Sequence, residues 1–179
     1  MRRSVLARSL APLALALALA LAGCGTGAPP DEAASEAPPA ASFRSASVDE
    51  ALEGMRRAAQ TRGFSPEGEP QRGFVLEGSI EVRELSFVAG SCYALLAAGS
   101  TGLREIDVAL YLADGTEAER DGATGRTAAL VYCPVHAGTY YVTVHASAGN
   151  GLFAVRVVRG PTGLDVTATD LLPAAQGER

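Results

Sequence analysis

From Gly73 to Arg159, the apolar residues of this 179-residue chain recur mainly at every second position, in short runs broken by turn signals. Ile106, Val108, Leu110 and Leu112 share one face, with Asp107, Ala109 and Tyr111 on the other. Tyr140, Val142 and Val144 alternate against Tyr141, Thr143 and His145, and Phe153, Val155 and Val157 alternate against Ala154 and Arg156. Two further apolar runs start at Cys92 and Thr127, and residues 73–90 give two or three short strands around Gly78 and Glu84. Turns are marked by Ala113-Asp114-Gly115-Thr116, by Gly122 to Gly125, and by Asn150-Gly151, which reads as a hairpin signal. Regular strands with no long helix between them predict a mainly β fold, an antiparallel β-sandwich or jelly roll over residues 71–160.

One amphipathic helix is expected ahead of this core, over residues 46–64. Ser47 and Glu50 fit a capping box. Val48, Leu52, Met55 and Ala59 then recur at helical spacing, with Glu53 and Arg57 on the opposite face as an i,i+4 pair. Gly63 is placed to stop the helix, with Phe64 available for the apolar contact that accompanies such a stop. Ser65 to Gln71, with two prolines, reads as a connector. The tail from residue 161 to 179 reads as mostly disordered, with an edge strand over Val166 to Leu172 as the alternative.

The first residues have a different character. Met1 to Ser9 is basic, and Leu10 to Ala22 is an almost unbroken Leu/Ala run, the layout of a secretory signal peptide over 1–23. The run is shorter than the roughly 20 residues that span a bilayer. It ends in Leu21-Ala22-Gly23-Cys24, which resembles the lipobox of bacterial lipoproteins. That resemblance implies cleavage before Cys24 and acylation of its thiol, so that the partner of the mature N-terminus is a lipid bilayer; two or more acyl chains hold stably. With Gly25 rather than Asp after the cysteine, the resemblance implies the outer membrane. Residues 24–45, rich in Ala, Pro, Ser and Glu, cannot bury enough apolar surface to offset ordering and read as a disordered tether.

Charge follows from the same division. The chain has 15 basic residues, all Arg, and 20 acidic ones. Without Arg2, Arg3 and Arg8, 12 Arg face the same 20 acids, a balance near −8. A domain so acidic is repelled by phosphate backbones, which excludes nucleic acid as a partner.

Within the β region, Glu105 to Leu112 followed by Asp114-Gly115, then Ala137 to Val144, then Gly149 to Val155, form a recognisable series. They run as a strand ending in a Tyr-x-x-Asp-Gly turn, a Gly-Thr-Tyr strand and a glycine turn into the last strand. Over residues 73–160 the chain resembles the bacterial pre-peptidase C-terminal domain, which implies a small β-sandwich carried by exported proteins. Three cysteines less the lipid-bearing one leave a pair in an oxidising compartment, so a Cys92–Cys133 disulfide is expected.

Several constellations have residue types that could carry chemistry. Cys92, Cys133, His136 and His145 are a zinc candidate, set against the disulfide that uses both sulfurs. Calcium is the one cofactor candidate, from Glu105, Asp107, Asp114 and Asp121, with Glu117 and Glu119 nearby. His136 and His145 are the only histidines and neither lies in a nucleophile or metalloprotease motif, so no enzyme is expected. The remaining route is a binding face. Of Tyr93, Tyr111, Tyr132, Tyr140 and Tyr141, most are expected to pack, while Asp107, Tyr111, Tyr141 and His145 share the less apolar register and are the candidate ligand-binding residues. The expected role is a non-catalytic binding module for polysaccharide, peptidoglycan or peptide. The alternative is an assembly subunit that contacts envelope proteins.

Overall fold

The structure, a computed structural model, describes residues 40–173, with side chains from Ser47 onward. The expected signal peptide over 1–23, the expected acylation site Cys24 and the expected tether up to residue 39 lie outside the described residues.

Helix α1 spans Ala40–Thr61. It starts well ahead of the Ser47 capping box, so residues 40–45 are helical rather than part of a tether. The reason is local: after Pro39 the sequence offers no helix breaker, and it opens on two alanines, the best helix formers. Val48, Leu52, Met55 and Ala59 are all buried, as their spacing requires. Glu53 binds Arg56 at i+3, at 2.7 and 2.5 Å, rather than Arg57. At the end of the helix, Gly63 adopts φ 91° and its N–H donates to the Gln60 carbonyl, while Phe64 N–H donates to that of Ala59. This is a Schellman stop, and buried Phe64 joins Ala59 in one apolar cluster.

Eight strands follow: β1 Ser65–Val75, β2 Ile80–Phe87, β3 Ser91–Gly99, β4 Leu103–Leu112, β5 Glu117–Arg120, β6 Thr127–Tyr132, β7 Gly138–Gly149 and β8 Gly151–Pro161. They form two antiparallel sheets, ordered β1-β8-β3-β6 and β2-β7-β4-β5, which is the strand order of a jelly roll. The expected fold class is therefore what the chain adopts. Only the β4–β5 connection is a hairpin within one sheet; the other six links between successive strands cross from sheet to sheet.

Three local expectations are corrected. Ser65 to Gln71 is not a connector but the first half of β1, which tolerates Pro66 and Pro70 because it is an edge strand with a register shift between Glu67 and Gln71. Asn150-Gly151 does not join two paired strands, since β7 and β8 lie in opposite sheets. Instead, Asn150 N–H donates to the Gly102 carbonyl (3.0 Å), and its side-chain oxygen accepts the Glu77 N–H (2.6 Å), so three sheet-crossing loops are bound together. A Cβ on Gly102 would collide with the Asn150 carbonyl, which explains the glycine there. Finally, the described part of the tail, up to residue 173, has defined structure. A 3-10 turn at Ala168–Leu171 lies against α1, Leu171 is fully buried, and Arg62 pairs with Asp170 at 2.9 Å.

Apart from β1, which is mostly exposed, the first sheet is buried on both faces at β3 and along much of β8 and β6. Its inner side contributes Tyr93, Leu95, Leu130, Phe153 and Val155 to the core between the sheets, against Ile106, Val108, Leu110, Val142 and Val144 of the second. Its outer side presents Ala94, Leu96, Ala98, Ala129, Ala154 and Val158 to α1. Four of those six are alanine, which lets the helix approach closely. Every residue of β3 is accordingly buried, and its sequence reads as an unbroken apolar run instead of an alternation. Cys92 and Cys133 are bonded, as expected, closing 41 residues and tying the start of β3 to the end of β6.

Candidate functional site

With α1 on the first sheet, the outer face of the second sheet is the broad strand surface without a covering element among the described residues. Cross-strand register builds it in three rows. Glu84, Tyr141, Tyr111 and Glu117 form the first row across β2, β7, β4 and β5. Val82, Thr143, Ala109 and Arg120 form the second, and Ile80, His145 and Asp107 the third.

The four ligand-binding candidates thus fall into two directly opposed pairs, Tyr111 with Tyr141 and Asp107 with His145. Four residues of strand, about 13 Å, separate the two. Between them Ala109 and Thr143 make a low floor, so the face is a shallow trough with a tyrosine rim on one side and a polar rim on the other. The tyrosine rim is braced. Glu117 binds Arg120 at 2.5 Å, and both contact the Tyr111 hydroxyl at 3.2 Å. The Arg120 guanidinium holds the Glu117 carboxyl below the usual carboxylate range. Neither Arg120 nor this bracing role of Glu117 was anticipated, because the pairing of β5 with β4 is not written in the acidic segment itself.

At the polar rim, His145 Nδ1 lies 3.2 Å from Asp107 Oδ2, and Ser147, two residues further along the same face, also donates its hydroxyl to that oxygen. The Ser147 hydroxyl is 3.1 Å from the same Nδ1. A serine, a histidine and an aspartate therefore meet, but not as a nucleophile relay. In a relay, the hydroxyl and the carboxylate address opposite ring nitrogens, whereas here both crowd one. The serine proton is committed to the carboxylate. This arrangement orients the imidazole and suits hydrogen bonding to a ligand. Ser147 was missed from sequence, although the period of two places it on the His145 face.

The metal candidates are not assembled. Among the described residues, no three His, Cys, Asp or Glu side chains are grouped to hold a metal ion. The zinc set loses both thiolates to the disulfide, and His136 sits in the loop before β7 while His145 is on the strand. Of the calcium set, Glu105 and Asp107 lie on β4. Asp114 caps the β4–β5 turn through the Thr116 N–H (2.9 Å), which holds its carboxyl low. Asp121 is buried after β5, where it accepts the Ala129 N–H at 3.1 Å. Tyr93 and Tyr140 pack in the core with Phe87, whose ring stacks on Tyr93 at 4.0 Å.

Comparisons with family models and with curated proteins return no match. Among solved structures, the chain is similar to the pre-peptidase C-terminal domain of a collagenase from Bacillus anthracis. The identity is 16% and the TM-score 0.43, over 50% of this chain and 87% of that one. It is also similar to a periplasmic inhibitor of g-type lysozyme from Aeromonas hydrophila, at 12% identity and TM-score 0.39, over 51% of this chain and 83% of that one. No residue of the candidate face is carried over from either.

Proposed function

We propose that the chain is a lipid-anchored protein of the bacterial envelope whose jelly roll is a non-catalytic binding module. It is held to the outer membrane through acylated Cys24, and it takes an extended glycan, of polysaccharide or peptidoglycan type, on the outer face of the second sheet. The observation that carries the binding role is the pairing of Tyr111 with Tyr141 on the face that α1 leaves open. Tyrosine rings on a sheet are amphipathic platforms for sugar rings, and the Asp107–His145–Ser147 group offers donors and acceptors about 13 Å away. A shallow trough across the strands suits a polymer better than a small molecule. Three hollows of the described fold lie elsewhere, at the end of α1, beside its Val48 and next to the β1 bulge. The anchoring half of the reading is supported by Leu21-Ala22-Gly23-Cys24 after an apolar run. Among the described residues, no helix is long and apolar enough to cross a membrane.

A glycan and peptide array tests the binding half. Signal on glycans that falls at least about tenfold in Tyr141→Ala, with an unchanged melting curve, is the expected result. Uniform silence on glycans would sink it, and signal confined to peptides would move the ligand to that class. The mass of the native N-terminal fragment tests the anchor: a Cys24 without added acyl mass rules it out.

A further inference from the structure

The described jelly roll has four edge strands, and two of them, β1 and β5, are irregular in ways that hinder pairing. Strand β1 carries Pro66, Pro70 and a register shift. Strand β5 is four residues long, three of them charged, and irregularly paired. Strand β6 has the 3-10 turn of the tail against its outer face, where Leu171 joins the α1 cluster. Natural sheets use such devices because an open edge is a template for another strand. Strand β2 has neither proline nor glycine, keeps unbroken register with β7 over all eight residues, and among the described residues pairs with no strand on its other side. Its guard is the inward-pointing pair Glu81 and Arg83. The Arg83 guanidinium also donates to the Val82 carbonyl at 2.9 Å and must release it for a second strand to pair there. The strand also exposes Ile80 (58%) and Val82 (52%) on its outer face.

We propose that β2 is a homodimerisation edge, pairing antiparallel with β2 of a second copy about a two-fold axis through Val82. The choice of a second copy over another chain rests on charge. The odd-numbered residues of β2 face the inter-sheet side, and two of them are ionic: Glu81 and Arg83, joined in each copy at 2.9 Å. With Val82 on the axis, Glu81 faces Arg83 of the other copy and Arg83 faces Glu81, so each copy supplies the opposite charge twice. Moving the axis by one residue either way sets Glu81 on Glu81 or Arg83 on Arg83, and moving it to Glu84 sets two glutamates face to face. Like charges directly opposite one another are destabilising, so the strand selects its own register. The same pairing covers Val82 and keeps to the first half of β2, clear of the β1 bulge that lies beside Leu85, Ser86 and Phe87. The result is one eight-stranded sheet in which the two tyrosine troughs face the same way. This inference does not depend on the glycan or on the anchor.

The test uses residues 38–179, which hold every described element of the fold, in sedimentation velocity over a concentration series. A concentration-dependent dimer is expected, and Val82→Lys, at an exposed position, weakens it at least about tenfold. A short thiol cross-linker supplies the register. Val82→Cys joins two copies readily, whereas Ser86→Cys does not, since its two sulfurs lie on the order of 27 Å apart across the axis. A monomer at every concentration up to about 1 mM, a dimer indifferent to Val82→Lys, or equal cross-linking at both positions overturns the proposal.

Discussion

Asp121 is only 5% exposed, and one of its carboxylate oxygens has no hydrogen-bond partner. Its other oxygen accepts the Ala129 N–H of β6, and its own N–H donates to the Val108 carbonyl of β4, so the residue links the two sheets. Burial is the main cause that raises its carboxyl above the ordinary 3.8. The folded state therefore binds this proton more tightly than the unfolded chain does. The resulting stabilisation is fully present below the unfolded value and is lost as pH rises through the raised folded value. Asp121→Asn keeps the acceptor for Ala129 and removes the charge. Its melting temperature relative to wild type should be highest near pH 7 and should fall as the pH is lowered toward 4. A difference that is constant across that range would show that the buried carboxylate does not titrate with folding. Sequence spacing put Asp121 in a cation site, because a lone acid after a strand looks the same whether it is solvated, ligating or buried.

At the scale of elements, the helix and the alternating strands were legible and the edges were not. Val48, Leu52, Met55 and Ala59 declare their face through spacing alone, and Gly63-Phe64 declares the stop. The alternation of β4 and β7 likewise put Asp107, Tyr111, Tyr141 and His145 on one register. That His145 meets Asp107, and Tyr141 meets Tyr111, depends on which strands are neighbours, and this is a property of the whole sheet. Asn150-Gly151 was misread for that reason: its chemistry signals a reversal of the chain, not the sheet to which the next strand belongs. Prolines hid β1, charge hid β5, and polar spacing hid the apolar residues of the tail. Pairing is also what sets the worth of the disulfide. It joins two strands that are neighbours in the sheet and 41 residues apart in sequence. On the chain-entropy model such a closure contributes roughly 4 kcal/mol. Replacing Cys92 and Cys133 together by alanine should lower the denaturant midpoint and steepen the slope, because the unfolded chain is freed to expand. A loss below about 1 kcal/mol would indicate that the reduced chain is already compact in the unfolded state.

For the molecule as a whole, β8 has a special position. The last strand of the sequence lies inside the first sheet, between β1 and β3, and its outer side meets α1. A chain ending at Gly149 would leave β1 without a partner strand and the helix without much of its seat. Such a truncation should show no cooperative melt and no near-ultraviolet circular dichroism; a sharp transition would show that the second sheet can stand by itself. Folds dominated by distant pairings are slow to form, because loop closure comes before reward. The one local hairpin among the described strands, β4–β5, is too small to hold a structure alone. Until β8 is available, β1 and α1 lack the surface on which they dock, so the sandwich closes late, when the final described strand arrives.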